Sequence, residues 1–163
     1  MIPRFRALAC QTIIRPITED VMTRQEGRAI IKDNLDAALN LMWKGLGNNL
    51  GAVKLVTFPE MFLTLAPVWR NRKSSDWLDL ACVEVPGPEL KPLFEAARQA
   101  QVYIGANVYE YDPKWPGRYF NCSFLVSPEG EVLLKYRRLH STLTPSPHDF
   151  LDDYVDALGW DAL

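Results

Sequence analysis

Hydrophobic positions along the chain follow two rhythms, and the switch between them marks its elements. Short apolar runs come first. Ala7, Leu8, Ala9 and Cys10 sit within residues 5–11 and predict a buried first strand. Residues 53–58 are largely β-branched and aromatic and predict a second, stopped by Pro59, which has no N–H for a sheet ladder. Residues 102–111 predict a third. Residues 119–127 and 131–136 meet across Ser127-Pro128-Glu129-Gly130 and predict a hairpin. Elsewhere the spacing lengthens to three and four. Ile31, Leu35, Ala38, Leu39 and Met42 share one face of a helix over about 24–44. Thr23 and Glu26 have the form of a capping box at its start, and Gly45 and Gly47 supply a stop. Leu90, Leu93, Phe94, Ala97 and Ala100 mark a second helical face ending near Gln101, with Pro92 in its first turn. Residues 77–82 and 150–158 read as short helices, and 61–73 and 141–149 as loops. The glycine-rich stretch 45–51 follows a helix and precedes a strand. A phosphate cradle needs the opposite order, so it reads as a connection. Strand, helix, strand, helix, strand and then a hairpin predict α/β layers with a mixed sheet.

Composition narrows this picture. At 163 residues the chain suits one domain, 1–163, burying roughly 70% of its unfolded surface. A net charge of −2 gives no global field for nucleic acid or an anionic membrane. The basic cluster Lys135, Arg137, Arg138 and His140 has no aromatic stacking platform beside it, which argues against nucleic acid. No apolar run is long enough to span a bilayer. Cys10, Cys82 and Cys122 are odd in number and widely spaced, so neither a disulfide scaffold nor a zinc knuckle is indicated. A reducing cytoplasm is the expected setting. His140, His148, Asp149, Asp152 and Asp153 lack a recognised metal-ligand spacing.

Two stretches carry candidate chemistry. Glu60 follows Pro59 just past the end of a buried strand, where α/β folds place their ligands. Apolar neighbours there would disfavour its charged form and suit it to proton transfer; the plain alternative is a strand-end Glu pointing to water. Lys135 ends another apolar strand and could supply positive charge to an oxyanion; the plain alternative is a solvated strand end. Arg137 and Arg138 read as surface or interface ion-pair partners.

Taken together, Phe58-Pro59-Glu60, Gly117 through Ser123, the turn at 127–130 and Lys135-Tyr136-Arg137-Arg138-Leu139-His140 resemble the carbon–nitrogen hydrolase (nitrilase/amidase) superfamily. The resemblance covers nearly the whole chain. It implies a nitrilase-like α-β-β-α sandwich, of which this chain would be an incomplete N-terminal part. It implies hydrolysis of a small amide or nitrile by a Cys-Glu-Lys mechanism, with Glu60 as general base and Lys135 stabilising the tetrahedral intermediate. Asn121 would order the site. No cofactor or metal is implied, and a homo-oligomer is expected. The departures are as informative. No cysteine follows Cys122, so the nucleophile is expected beyond this chain. No Glu follows Glu131, which leaves Asp149, Asp152 or Asp153 as stand-ins for the family's second Glu. Thr64-Leu65-Ala66-Pro67 replaces a Gly-Tyr after the Glu motif. The competing expectation is an inactive binding or oligomerisation module on the same scaffold.

Overall fold

The computed structural model describes residues 4–48, 51–66, 73–140 and 150–162. In chain order these form β1 (Arg6–Ala9), α1 (Arg24–Gly47), β2 (Val53–Thr57), α2 (Ser74–Ala81), a 3-10 turn (Pro88–Leu90), α3 (Lys91–Ala100), β3 (Tyr103–Tyr111), β4 (Tyr119–Val126), β5 (Val132–Arg137) and α4 (Leu151–Leu158). A last 3-10 turn spans Trp160–Ala162. The expected loop residues 67–72 and 141–149 lie outside the described residues, His148 and Asp149 among them.

The capping box at α1 forms as expected. Thr23 Oγ1 accepts from Glu26 N at 3.2 Å, and Glu26 Oε2 accepts from Thr23 N at 2.8 Å. These bonds occupy backbone donors that the first turn leaves unpaired. The helix then buries the stripe Gly27, Ile30, Ile31, Asn34, Leu35, Ala38 and Met42. Asn34 is polar in that stripe and is fully used. Its Oδ1 accepts from Arg15 N at 2.9 Å, and its Nδ2 donates to Arg15 O and Leu63 O, both at 2.8 Å. One amide thus ties the segment after β1 and the turn after β2 to the helix.

The strands form one mixed sheet in the order β1-β2-β3-β4-β5. β1, β2 and β3 run parallel; β3, β4 and β5 run antiparallel. Pairing sets the faces, because side chains alternate along a strand and agree across it. Leu8, Val56 and Ile104 are in register, as are Ala106, Phe124 and Lys135. On this face Val56, Ile104, Ala106, Val108, Phe124 and Val126 are buried, in one core with the α1 stripe and with Leu93, Phe94 and Ala97 of α3. The other face carries Tyr103, Asn107, Ser123 and Tyr136, and much of it is open: Tyr103 and Tyr136 are exposed. Its end near Tyr109 is roofed by Trp77 of α2, packed edge-on.

Candidate functional site

β2 delivers Glu60. Its ladder ends with Cys10 N donating to Thr57 O and Phe58 N donating to Gly105 O, each at 2.9 Å. Pro59 then ends the pairing, and Glu60 emerges at the carboxyl end of an interior parallel strand. The chain turns at once. Met61 adopts a left-handed φ of 55° and Leu65 one of 62°. A left-handed residue with a side chain costs roughly 1–2 kcal/mol. Local bonds offset it: Met61 O accepts from Thr64 N at 3.1 Å and Leu65 N at 3.0 Å, and Met61 N donates to Asn107 Oδ1 at 3.0 Å.

Three polar side chains meet here. Asn121 Nδ2 donates to Glu60 Oε1 at 2.8 Å, and Arg138 Nη1 donates to the same oxygen at 3.2 Å. Asn121 comes from β4. Arg138 lies just past β5 and is held by its own N–H, which donates to Asn121 O at 2.9 Å. The cleft beside them has a volume of about 400 Å³, with Thr57, Phe58, Asn107, Ser123 and Tyr136 in its walls. Glu60 remains 56% exposed, so among the described residues no apolar shell encloses it as expected. An ion pair this open adds at most about 1 kcal/mol to stability, so its consequence is geometric.

Lys135 does not share this cleft. The expectation that Glu60 and Lys135 converge is corrected by the sheet. Lys135 faces the opposite side, where Nζ donates to Glu110 Oε1 at 2.7 Å and to Val85 O at 3.3 Å. Arg137 joins it there, bonding both Glu110 oxygens at 2.7 and 2.8 Å and reaching Asp112. Arg137 is 6% exposed, so it is no surface residue. Burial pulls its guanidinium down, but the bonds from Glu110 and Asp112 outweigh that and hold it above its usual range. The cation that meets Glu60 is Arg138.

The cause is one extra residue. Near the turn, Val126 pairs with Val132; one step on, Leu125 pairs with Leu134. Leu133 is bulged out. A straight count from the turn would put Lys135 opposite Ser123, on the Glu60 side. The bulge shifts the register by one and exchanges the faces of β5. Tyr136 pairs with Ser123 instead, and Arg138 follows beside Asn121. Nothing local in the sequence marks this bulge: Gly130, at φ 79°, closes the turn itself, three residues earlier.

The cysteines lie elsewhere. Cys122 is on the Lys135 face, and burial, with the Glu110 charge beside it, pushes its thiol well up. Burial also raises Cys10 and Cys82, and Cys82 Sγ lies 3.6 Å from Trp77 O. Among the described residues no thiol lines the cleft. Asp152 and Asp153 are exposed on α4, whose Tyr154 packs with Phe150 on Phe120, away from Glu60. Among the described residues no helix is long and apolar enough to cross a membrane.

A carboxylate, an amide and a guanidinium thus meet at the end of a parallel strand on a layered α/β scaffold. The carbon-nitrogen hydrolase family model matches residues 29–155, and the chain belongs to that family. It is 30% identical over 95 residues to a formamidase of Bacillus thuringiensis, which covers 58% of this chain and 27% of that protein. The chain therefore spans about a quarter of the length of the curated relatives it matches. Among solved structures it resembles Saccharomyces cerevisiae Nit3, a member of branch 10 of the nitrilase superfamily, with TM-score 0.57 and 24% identity over 71% of this chain and 43% of that one. It also resembles a carbon-nitrogen hydrolase from Helicobacter pylori, with TM-score 0.58 and 18% identity over 87% of this chain and 42% of that one. The α/β nitrilase-like fold is thereby established.

Proposed function

We propose that the chain supplies the base and the cation of a carbon–nitrogen hydrolase site for a small amide or nitrile, with a cysteine from outside this sequence completing it. In an amide reaction Glu60 takes the thiol proton and the sulfur attacks the carbonyl carbon. The carbonyl oxygen gains charge beside Arg138. The leaving nitrogen departs as ammonia with the proton that Glu60 held, and water then cleaves the thioester to acid and thiol. A guanidinium stays protonated, so Arg138 acts only through its charge and hydrogen bonds, and proton traffic falls to Glu60. Lys135 serves as a counter-ion of Glu110. The observation that carries this reading is the shared Glu60 oxygen, bonded by Asn121 and Arg138 at the mouth of a small cleft. Kinship with the formamidases supports amides of small size.

The test is ammonia release from formamide and a panel of small amides and nitriles. It is run on the chain and on a form extended to the length of its relatives. Glu60→Gln should lower kcat by about 10²–10⁴-fold. Arg138→Met should lower it by about 10²–10³-fold. Lys135→Met should leave it unchanged. An active protein that tolerates Arg138→Met but not Lys135→Met overturns the assignment.

A binding or assembly module remains the second reading. The distance of all three cysteines from the cleft and the exposed Tyr103, Leu134 and Tyr136 favour it. It expects no ammonia from either form and a dimer or larger species by light scattering.

A further inference from the structure

Asn107 has no part in that reaction, yet the geometry of Glu60 depends on it. It is a buried polar side chain in the middle of β3, on the cleft face. An amide has one accepting and one donating end, and which is which must be deduced from its partners. Here the deduction is forced. Met61 N–H can only donate, so the end 3.0 Å from it is Oδ1. The other end is the NH2 group, which donates to Asn121 Oδ1 at 2.6 Å and to Ser123 Oγ at 3.0 Å. Both protons are then spent. Asn121 has its oxygen engaged, so it must present its own NH2 to Glu60 Oε1, 2.8 Å away. Reversing Asn107 would set donor against donor at Met61 and acceptor against acceptor at Asn121. Polarity thus runs from one backbone N–H, through two amides, to the carboxylate. Its source is the left-handed residue that immediately follows Glu60, so the bond that steadies the turn also orients the site.

We infer that Asn107 is a positioning residue: it fixes which end of the Asn121 amide faces Glu60 and so aims the carboxylate into the cleft. Its catalytic consequence rests on Glu60 being the proton acceptor; its geometry can be tested without turnover. Asn107→Asp is close to isosteric. The introduced carboxylate still accepts from Met61 N–H but offers no donor to Asn121. Asn121 Oδ1 then loses its donor, and the new carboxylate competes with Glu60 for the Asn121 NH2.

The readout is the pair of Asn121 side-chain amide proton signals in NMR spectra of the ¹⁵N-labelled chain, with and without Glu60→Gln. In the native background Glu60→Gln should shift this pair. In the Asn107→Asp background the response should be weakened. Asn107→Ser, too short to span both partners, should weaken it as well and serves if the aspartate variant does not fold. A pair that follows Glu60→Gln equally in all backgrounds, or that ignores it in the native one, overturns the inference. A protein that releases no ammonia but shows the expected pattern retains Asn107's role and refutes only the hydrolase reading.

Discussion

Glu110 shows how one residue can secure a site it does not enter. Its side chain is 1% exposed, yet it carries a carboxylate bonded by Lys135 and by both arms of Arg137. Burying a charge is tolerable only when bonds replace its lost water. Arg137 also stacks 4.1 Å over Phe120, the ring on which α4 rests. Because Arg137 directly precedes Arg138, the network clamps the strand end that points the cation at Glu60. Arg137→Met leaves Glu110 with Lys135 as its remaining cation and should cost about 3–5 kcal/mol in urea unfolding. Lys135→Met keeps both Arg137 bonds and should cost less. Equal losses would mean that Arg137 does not dominate the pair. At this scale Glu60 and Asn121 were legible, since a strand end and a motif identify them. Arg138 was not, because a charge string on a strand has no face until its register is known.

Elements were easier to read than the residues on them. The capping box, the spacing of Ile31, Leu35 and Ala38, and the turn at 127–130 are local signals, and local energies enforce them. Bulges and helix contacts depend on partners far along the chain, so they were not legible. Gly27 is an example. Within a helix a glycine ordinarily costs about 1 kcal/mol relative to alanine, which favours replacing it. Here a Cβ would fall on the backbone oxygen of Leu80, because α1 and α2 cross closely at that point. Gly27→Ala should therefore destabilise by about 1–3 kcal/mol, the range for forcing atoms into a packed contact. A rise in the thermal midpoint would show that the two helices separate without penalty.

Across the whole molecule, acid should act through carboxylates on separate elements, Glu26 at the start of α1 and Asp112 just past β3. Backbone N–H bonds from Met22 and Thr23 hold Glu26 below its ordinary value at the start of α1. Burial pushes Asp112 up, but Arg137 and the Lys114 N–H outweigh it, so this carboxyl also lies low. In both cases the unfolded chain binds the proton more readily than the folded one. The stability they confer is therefore complete above the ordinary carboxylate pKa of about 4 and is lost as pH falls through the folded values. Urea midpoints should decline progressively below about pH 5. Asp112→Asn removes one of these groups while leaving Glu110 on Arg137. It should lower stability at neutral pH and flatten the acid decline, bringing the two proteins together at low pH. If the decline keeps its steepness in the variant, the Arg137 bond to Asp112 contributes nothing to the fold, and Glu110 alone holds the strand that carries Arg138.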